Sequence, residues 1–521
     1  VIMSLKDDVR VDFLKEQNKT REFDKIRVLS DISEENEYSI DDQTWNDLNM
    51  NDIYEEIDKT YSTPGEQVLY SIFKNPLMSE EKLNKRSELI DYFIENQDLT
   101  TEIRFNLFKL GHDKKNRLLE MISDKLPVNK KKYWLYKVLG NFIPIALIAL
   151  AFIFKEPRLN LLLLVSVFVT IEINRKEREI IKSHGLSYLS DLFITSEKIC
   201  KIKDPKISHY VENLKYNLEN ISYLKKGTTV IKIINAFGGL LELLSIPFLL
   251  EETTFYKISD KIEENAGEIY RIYYLIGELD ALTAMASYKA CNKSKLSKPR
   301  FINENKLKVV DGVHPALKKP VPNSISINGK GIVLTGTNMS GKSTFLRMLG
   351  ANIVLAQTMN FVMAKEYEGC FLNIVSSIAP KDDINAGKSY YLAEAESILR
   401  IIKALEKDVT VFCPIDEIFR GTNPVERISS SAEILSYINE RNAIAIVATH
   451  DRELTDMLKD EYEFYYFSED IDDNTGLSFD YKLKKGVSKT RNAIRLLEYI
   501  GYPNEIIQKS YKRSEELEKY I

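Results

Sequence analysis

Cysteine is scarce in this chain of 521 residues, and what there is forms no pattern: Cys200, Cys291, Cys370 and Cys413 lie far apart, with no C-x-x-C pair. That spacing argues against a zinc site and gives no sign of a disulfide framework, so a reducing cytosolic setting is the simple reading. An excess of positive charge is also missing. The 72 Lys and Arg are outnumbered by 77 Asp and Glu, for a formal net charge of -5. Any contact with nucleic acid must then come through local basic patches rather than global attraction. The opening Val1-Ile2-Met3-Ser4-Leu5-Lys6 soon turns charged and carries no secretory pattern. Internal repeats and low-complexity tracts are absent as well. The length allows two to four domains, each with its own core.

Residues 1–130 read as mostly helical, with charged faces and few strand-like runs: a leading segment over 1–40 and a helical region over 41–130. The composition then changes abruptly. Residues 138–154 are free of charge, and so are 159–171. The Lys155-Glu156-Pro157-Arg158 linker between them suits a tight turn. Extended back to Tyr133, with Trp134 and Tyr136 at interface depth and Lys137 snorkelling, the first run reaches a spanning length. The second provides only about 20 Å of helix, short of a hydrocarbon core of roughly 30 Å. Lys130, Lys131 and Lys132 precede the pair, and Arg175, Lys176 and Arg178 follow it. By the positive-inside rule both outer ends, and both termini, are then cytoplasmic. The expectation is an apolar helical hairpin over 131–178, associated with a membrane through 133–173. The alternative is a soluble cytoplasmic protein in which the hairpin is buried in a core or a dimer interface. A third apolar stretch, 236–250, contains Gly238, Gly239, Glu242 and Pro247 and reads as a buried helix and turn.

Helical patterns return over 179–300, a lever-like region ending in the basic residues Lys289, Lys293, Lys295, Lys298 and Arg300. From about residue 301 strands alternate with helices. Residues 331–335, 410–416 and 443–449 are short apolar runs suited to a largely parallel sheet.

Gly336-Thr337-Asn338-Met339-Ser340-Gly341-Lys342-Ser343-Thr344 fits G-x-x-x-x-G-K-[ST], between the first of those strands and a helical run. Such glycines let backbone N–H groups turn inward around phosphates, and the helix N-terminus adds its positive dipole end. Lys342 is placed to reach the β- and γ-phosphates of ATP, and the Ser343 hydroxyl to ligate Mg²⁺. The 410–416 strand ends in Asp416 and Glu417, suited respectively to the Mg²⁺ shell and to polarising an attacking water. The 443–449 strand ends at His450, read as a γ-phosphate sensor. The fold class expected is α + α/β: a helical N-terminal half, then a P-loop ABC-type ATPase domain over 301–521.

At these residues the chain resembles the MutS family. Thr335-Gly336-Thr337-Asn338-Met339-Ser340-Gly341-Lys342-Ser343-Thr344 is similar to the family's T-G-P-N-M-G-G-K-S-T. Leu355-Ala356-Gln357 and Phe361-Val362-Met363-Ala364 match its continuation. Asp416-Glu417-Ile418-Phe419-Arg420-Gly421-Thr422 resembles D-E-I-G-R-G-T, and Ala448-Thr449-His450 the A-T-H beyond it. The resemblance implies a homodimer through the ATPase domains. Ser389, in the segment Asp382-Asp383-Ile384-Asn385-Ala386-Gly387-Lys388-Ser389, would reach the partner's ATP. It also implies an adenine pocket bounded by His314-Pro315 and Asn323, closing helices at the C-terminus, and a core-domain start at Thr63-Pro64-Gly65.

Departures from the family pattern are specific. Phe419 stands where the family has glycine, and Asn423-Pro424-Val425-Glu426 replaces its Ser-Thr-x-Asp run. About forty residues precede the core-like segment, too few for a mismatch-reading domain, and Phe93-Ile94-Glu95 matches that domain's wedge only by chance. No Smr-type nuclease domain is expected after the ATPase. The function expected is an ATP-hydrolysing MutS-like dimer, related to mismatch repair and associated with branched or damaged DNA. Besides Lys289–Arg300, Lys114, Lys115 and Arg117 offer basic contacts. The alternative is a membrane-tethered mechanochemical ATPase acting on a protein or on the membrane itself.

Overall fold

A computed structural model describes residues 2–15, 21–33, 36–113, 118–123, 129–183, 186–236, 245–337, 340–378, 390–419, 423–451, 453–472, 476–487 and 493–517. The chain divides into two compact units. One comprises residues 1–34, 58–71 and 88–291; the other comprises 35–57, 72–87 and 292–521.

The first unit is helical among its described residues. Its longest buried element, Ala266–Cys291, packs Ile269, Ile272, Tyr273, Ile276 and Leu279 inward and carries the fully buried Asp280. That carboxylate accepts from the Ser62 hydroxyl at 2.6 Å and from the backbone N–H groups of Ser62 at 2.8 Å and Tyr61 at 3.1 Å. Ser62 in turn accepts from the Gly65 N–H, so it caps the helix that starts at Thr63. Gly65 leaves room for the acid: a Cβ there would lie 2.1 Å from the Asp280 carboxylate. Thr63-Pro64-Gly65 is thus a helix start built around a buried anion, with proline in the first turn and the helix dipole facing the charge.

Two helices, Lys130–Phe154 and Pro157–Glu179, are each long and apolar enough to cross a membrane. The first contains a π-helical stretch, Lys137–Phe142, in which Gly140 lies against the carbonyl of Phe248. Lys155, in the left-handed region at φ 52°, ends it. The hairpin is rooted by a polar knot. Glu177 accepts from Lys132 at 2.7 Å, Tyr136 at 2.8 Å and Tyr256 at 2.5 Å, and Asn174 donates to Glu252 at 2.6 Å. Beyond the root it is not buried in a core: Phe142, Phe152, Ile153, Leu161, Leu164 and Phe168 are all well exposed. Of the third apolar stretch, 237–244 lie outside the described residues; Ile246–Phe248 is a short 3-10 turn leading into the Leu250–Glu264 helix.

The second unit carries two sheets. The smaller uses β1 (Arg300–Phe301), β2 (Lys306–Gly312), β3 (Asn323–Asn328) and β5 (Glu366–Gly369) in the order β1-β5-β2-β3. The larger uses β4 (Gly331–Thr335), β6 (Asn373–Ile374), β7 (Val411–Asp416), β8 (Ala443–Ala448), β9 (Tyr462–Asp472) and β10 (Gly476–Lys485). Its order is β10-β9-β4-β8-β7-β6, with β9 and β10 antiparallel and every other neighbouring pair parallel. The three strands expected from apolar runs are there, side by side at the centre. β4 and β7 are buried at every position, as central parallel strands covered on both faces must be. The Lys342–Met359 helix buries fifteen residues, and its Gly350 admits Leu48, whose side chain would lie 2.4 Å from a Cβ. The short helix Asp42–Asp47 holds the strand-end segment at 376–378. Asp47 accepts from the Ser376 hydroxyl at 2.7 Å and from the Ile378 N–H at 3.0 Å.

Candidate nucleotide site

The site lies at the carboxyl ends of three adjacent parallel strands, where α/β sheets generally hold ligands. β4 delivers Gly336, β7 delivers Asp416 and Glu417, and β8 delivers His450 two residues beyond its end. Continuing sheet bonds fix these ends to one another: Thr449 N–H donates to Leu334 O at 2.9 Å, and Glu417 N–H to Ala448 O at 2.9 Å.

After β4 the chain turns at Gly336, at φ 137°, where a Cβ would meet Phe467 O at 2.8 Å. Gly341, at φ 111°, caps the Lys342–Met359 helix, and the Phe345 N–H returns to Gly341 O at 2.9 Å. These two left-handed positions wrap a loop around the helix N-terminus and need glycine. The Lys342 ammonium lies inside the loop, donating to Gly336 O at 2.7 Å and to Thr337 O at 2.9 Å. Its Nζ is 3.5 Å from His450 Nε2, and that nitrogen is 3.1 Å from Glu417 Oε1. The Ser343 hydroxyl donates to Asp416 Oδ2. One ammonium, one hydroxyl, two carboxylates and an imidazole thus converge beside a helix N-terminus.

Backbone strain is concentrated just past β7. Glu417 at φ 62° and Phe419 at φ 58° both occupy the left-handed region. Phe419 is the family-glycine position, so glycine's conformation is kept here by a residue for which it is costly, on the order of 1–2 kcal/mol. Phe419 is buried, and its ring centroid lies 5.4 Å from that of Tyr391.

Beside the loop opens a cleft with His314, Leu317, Val321, Phe345, Phe467 and Tyr481 in its walls, and Gly341 and Thr344 at the loop end. Its mainly apolar lining suits a flat ring. Burial, reinforced by Arg347, lowers the His314 pKa to about 4, so the ring is neutral near pH 7, and its Nδ1 accepts from the Ala316 N–H at 3.3 Å.

Two family models match this chain: MutS domain III over residues 40–286 and MutS domain V over 332–518. The chain belongs to the MutS family. Curated relatives include proteins named DNA mismatch repair protein MutS. That from Halothermothrix orenii is 24% identical, with 89% of this chain and 57% of the relative covered. The Clostridium novyi protein is 26% identical, covering 87% and 55%, and the Aquifex pyrophilus protein 26%, covering 89% and 60%. The chain therefore spans rather more than half the length of these relatives.

The domain V match starts within β4 and takes in every residue converging at the site. Of the residues singled out in the sequence, the structure brings together Gly336, Thr337, Gly341, Lys342, Ser343, Asp416, Glu417 and His450. Ser340 is buried in the same loop, and Thr344 faces the cleft. Asn338, Met339 and Ser389 lie outside the described residues. Asn323 lines the cleft, with its side chain bonded to backbone: its amide donates to Tyr481 O at 2.9 Å and accepts from the Leu483 N–H at 2.8 Å. It ties β3 to β10 and so shapes the cleft wall.

The sequence reading missed the Arg427–Asp451 pair, whose two bonds of 2.6 and 3.1 Å steady the residue after His450. An acid directly after the strand-end histidine was its only signal. Among the basic residues read as possible DNA contacts, Lys289 pairs with Asp91 and Arg300 with Glu368, while Lys293, Lys295 and Lys298 are exposed. Lys114, Lys115 and Arg117 lie outside the described residues.

Proposed function

We propose that this MutS-family protein binds and hydrolyses ATP as a dimer and couples that cycle to DNA, of the branched or damaged kind. The observation that carries the reading is the convergence of Lys342, the Ser343–Asp416 pair and the Glu417–His450 pair at the mouth of a glycine-turned loop. Lys342 holds the β- and γ-phosphates, together with backbone N–H groups of the loop and the helix dipole. The adjacent cleft accommodates the base. Ser343 and Asp416, whose oxygens already converge, would hold Mg²⁺, and that ion supplies charge neutralisation along the phosphates when bound. Glu417 orients and polarises the attacking water, and His450, in contact with both Glu417 and Lys342, senses the terminal phosphate. Ser389 completes the partner subunit's site. The printed names of the relatives concern DNA mismatch repair, which favours DNA as the object of the cycle.

Sedimentation of the purified chain with and without ATP·Mg²⁺ tests the cycle. Glu417→Gln should bind ATP and accumulate as dimer, Lys342→Ala should not bind it, and Ser389→Ala should bind it yet dimerise weakly. Wild-type and Glu417→Gln proteins that stay monomeric at saturating ATP would contradict the dimer. Binding to a branched duplex that weakens steeply with salt supports the DNA arm; turnover indifferent to any DNA contradicts it.

A second reading places the ATPase unit in the cytoplasm on a membrane tether. One observation favours it, the exposed apolar hairpin. The comparisons do not favour a protein or membrane client over DNA.

A further inference from the structure

The hairpin's exposed surface has features that select among possible partners. A helix that packs on another protein keeps a polar face opposite an apolar stripe. Neither arm has one beyond the root. On the first arm Phe142, Ile145, Ile148, Leu150, Phe152 and Ile153 are exposed over rather more than half of the circumference, the rest being turned to the second arm. On the second, Leu161, Leu162, Leu164, Val165, Phe168 and Val169 make one exposed side apolar, while the other side packs on the first arm. Phe152 is 83% exposed, and Leu164 and Ile153 are each 67% exposed. Such a surface exceeds the few hundred Å² of apolar patch that soluble monomers tolerate.

Charge is confined to the two ends. The tip carries Lys155, Glu156 and Arg158, all exposed. At the root, residues 130–137 and 172–179 hold seven basic and three acidic side chains, and one of the acids, Glu177, is buried in the knot. Lys130, Lys131, Lys137, Arg175 and Lys176 all face outward. Lys137 lies over the rings of Trp134, at 4.8 Å, and Tyr133, at 5.6 Å, and Trp134 is itself exposed. An apolar cylinder, a ring-and-lysine belt at its base and a cationic collar below that belt match, in order, hydrocarbon, interface and acidic headgroup.

Resting on the tethered reading and deepening it, we infer that the root collar of the hairpin recognises acidic phospholipid headgroups while both arms enter the same bilayer from one side. The apolar arms and the cationic collar call for two counterparts set side by side, hydrocarbon and anion. A bilayer accounts for both. The collar also sets the direction of entry, because its charge exceeds that of the tip.

The test is cell-free synthesis of the full chain in the presence of preformed vesicles, followed by flotation. One vesicle set is phosphatidylcholine alone, the other about seven parts phosphatidylcholine to three of phosphatidylglycerol. Capture should be roughly tenfold greater on the acidic set, and that preference should shrink in high salt. Lys131→Glu with Lys176→Glu, at exposed positions of the unit that does not carry the nucleotide site, should abolish the preference with ATP turnover unchanged. Phe152→Asp with Leu164→Asp should abolish capture by both sets. Equal capture by both sets overturns the headgroup inference and leaves the tether standing. Capture by neither set overturns both, and a soluble oligomer lost on Leu164→Asp would then identify a second copy of the chain as the true cover.

Discussion

The Val411–Asp416 strand and the Ile143–Phe154 helix are both strongly apolar, and they meet opposite fates. Every residue of the strand is buried, between sheet neighbours β6 and β8 and under the helices of its unit. Along the helix almost nothing is buried beyond Pro144. Hydrophobicity states only that a segment must leave water; the neighbours a chain supplies decide where it goes. The strand's neighbours come from the same chain, some forty residues before it and some thirty after it. Among the described residues the helix's main neighbour is the other arm of the hairpin, and its outward faces meet nothing else in this chain.

Placing a charge in each region should separate them most widely. Val333→Asp buries an unpaired carboxylate in β4 and should cost more than about 4 kcal/mol, enough to unfold its unit. Leu164→Asp should leave denaturant unfolding in buffer within about 0.5 kcal/mol of wild type. Truncation is gentler. Ile415→Ala should cost about 2–5 kcal/mol through lost burial and a cavity, whereas Ile153→Ala should cost almost nothing in buffer. If the two truncations cost the same, the hairpin has a protein cover in solution and the contrast fails.

Acid should separate the two compact units in a smaller way. His314 in the second unit has its pKa lowered by burial, and then by Arg347, from 6.5 to about 4. The folded state therefore binds fewer protons than the unfolded one between those values. The stability it contributes is complete above pH 6.5 and is lost as pH falls towards 4, up to about 3 kcal/mol. In the first unit burial raises Asp280 from 3.8 to about 6 and Glu252 from 4.5 to about 7. There the folded state binds more protons, so these groups cost stability above their folded values and the cost is relieved as pH falls. Hydrogen exchange followed from pH 7 to pH 5 should show protection falling in the second unit relative to the first. The smallest effect belongs to the hairpin tip: Lys155→Gly relieves a left-handed residue at φ 52° and should gain no more than about 1 kcal/mol.

Much of the site could be read from the sequence because its parts are local. The glycines of the loop, the acids ending β7 and the histidine beyond β8 each follow an apolar run that could only be a buried strand. Their order in space followed from the rule that such strands run parallel and present their carboxyl ends together. What escaped were contacts between distant residues. Asp47 bracing Ser376 and Ile378, Leu48 against Gly350, and Asn323 bridging to Tyr481 join positions too far apart for any periodicity to link. The smaller sheet escaped because β1 has two residues and β5 four, too short for an alternation to register. Gly65 was visible as a motif, but its reason, the Asp280 carboxylate, lies more than two hundred residues on.

Phosphate release from ATP by the purified chain, with wild type and Glu417→Gln compared at matched nucleotide occupancy, tests the central claim most directly. The account predicts Mg²⁺-dependent turnover by wild type and a loss of at least about a hundredfold in Glu417→Gln, with ATP still bound. Turnover undiminished in Glu417→Gln, or ATP bound by neither protein, would contradict it.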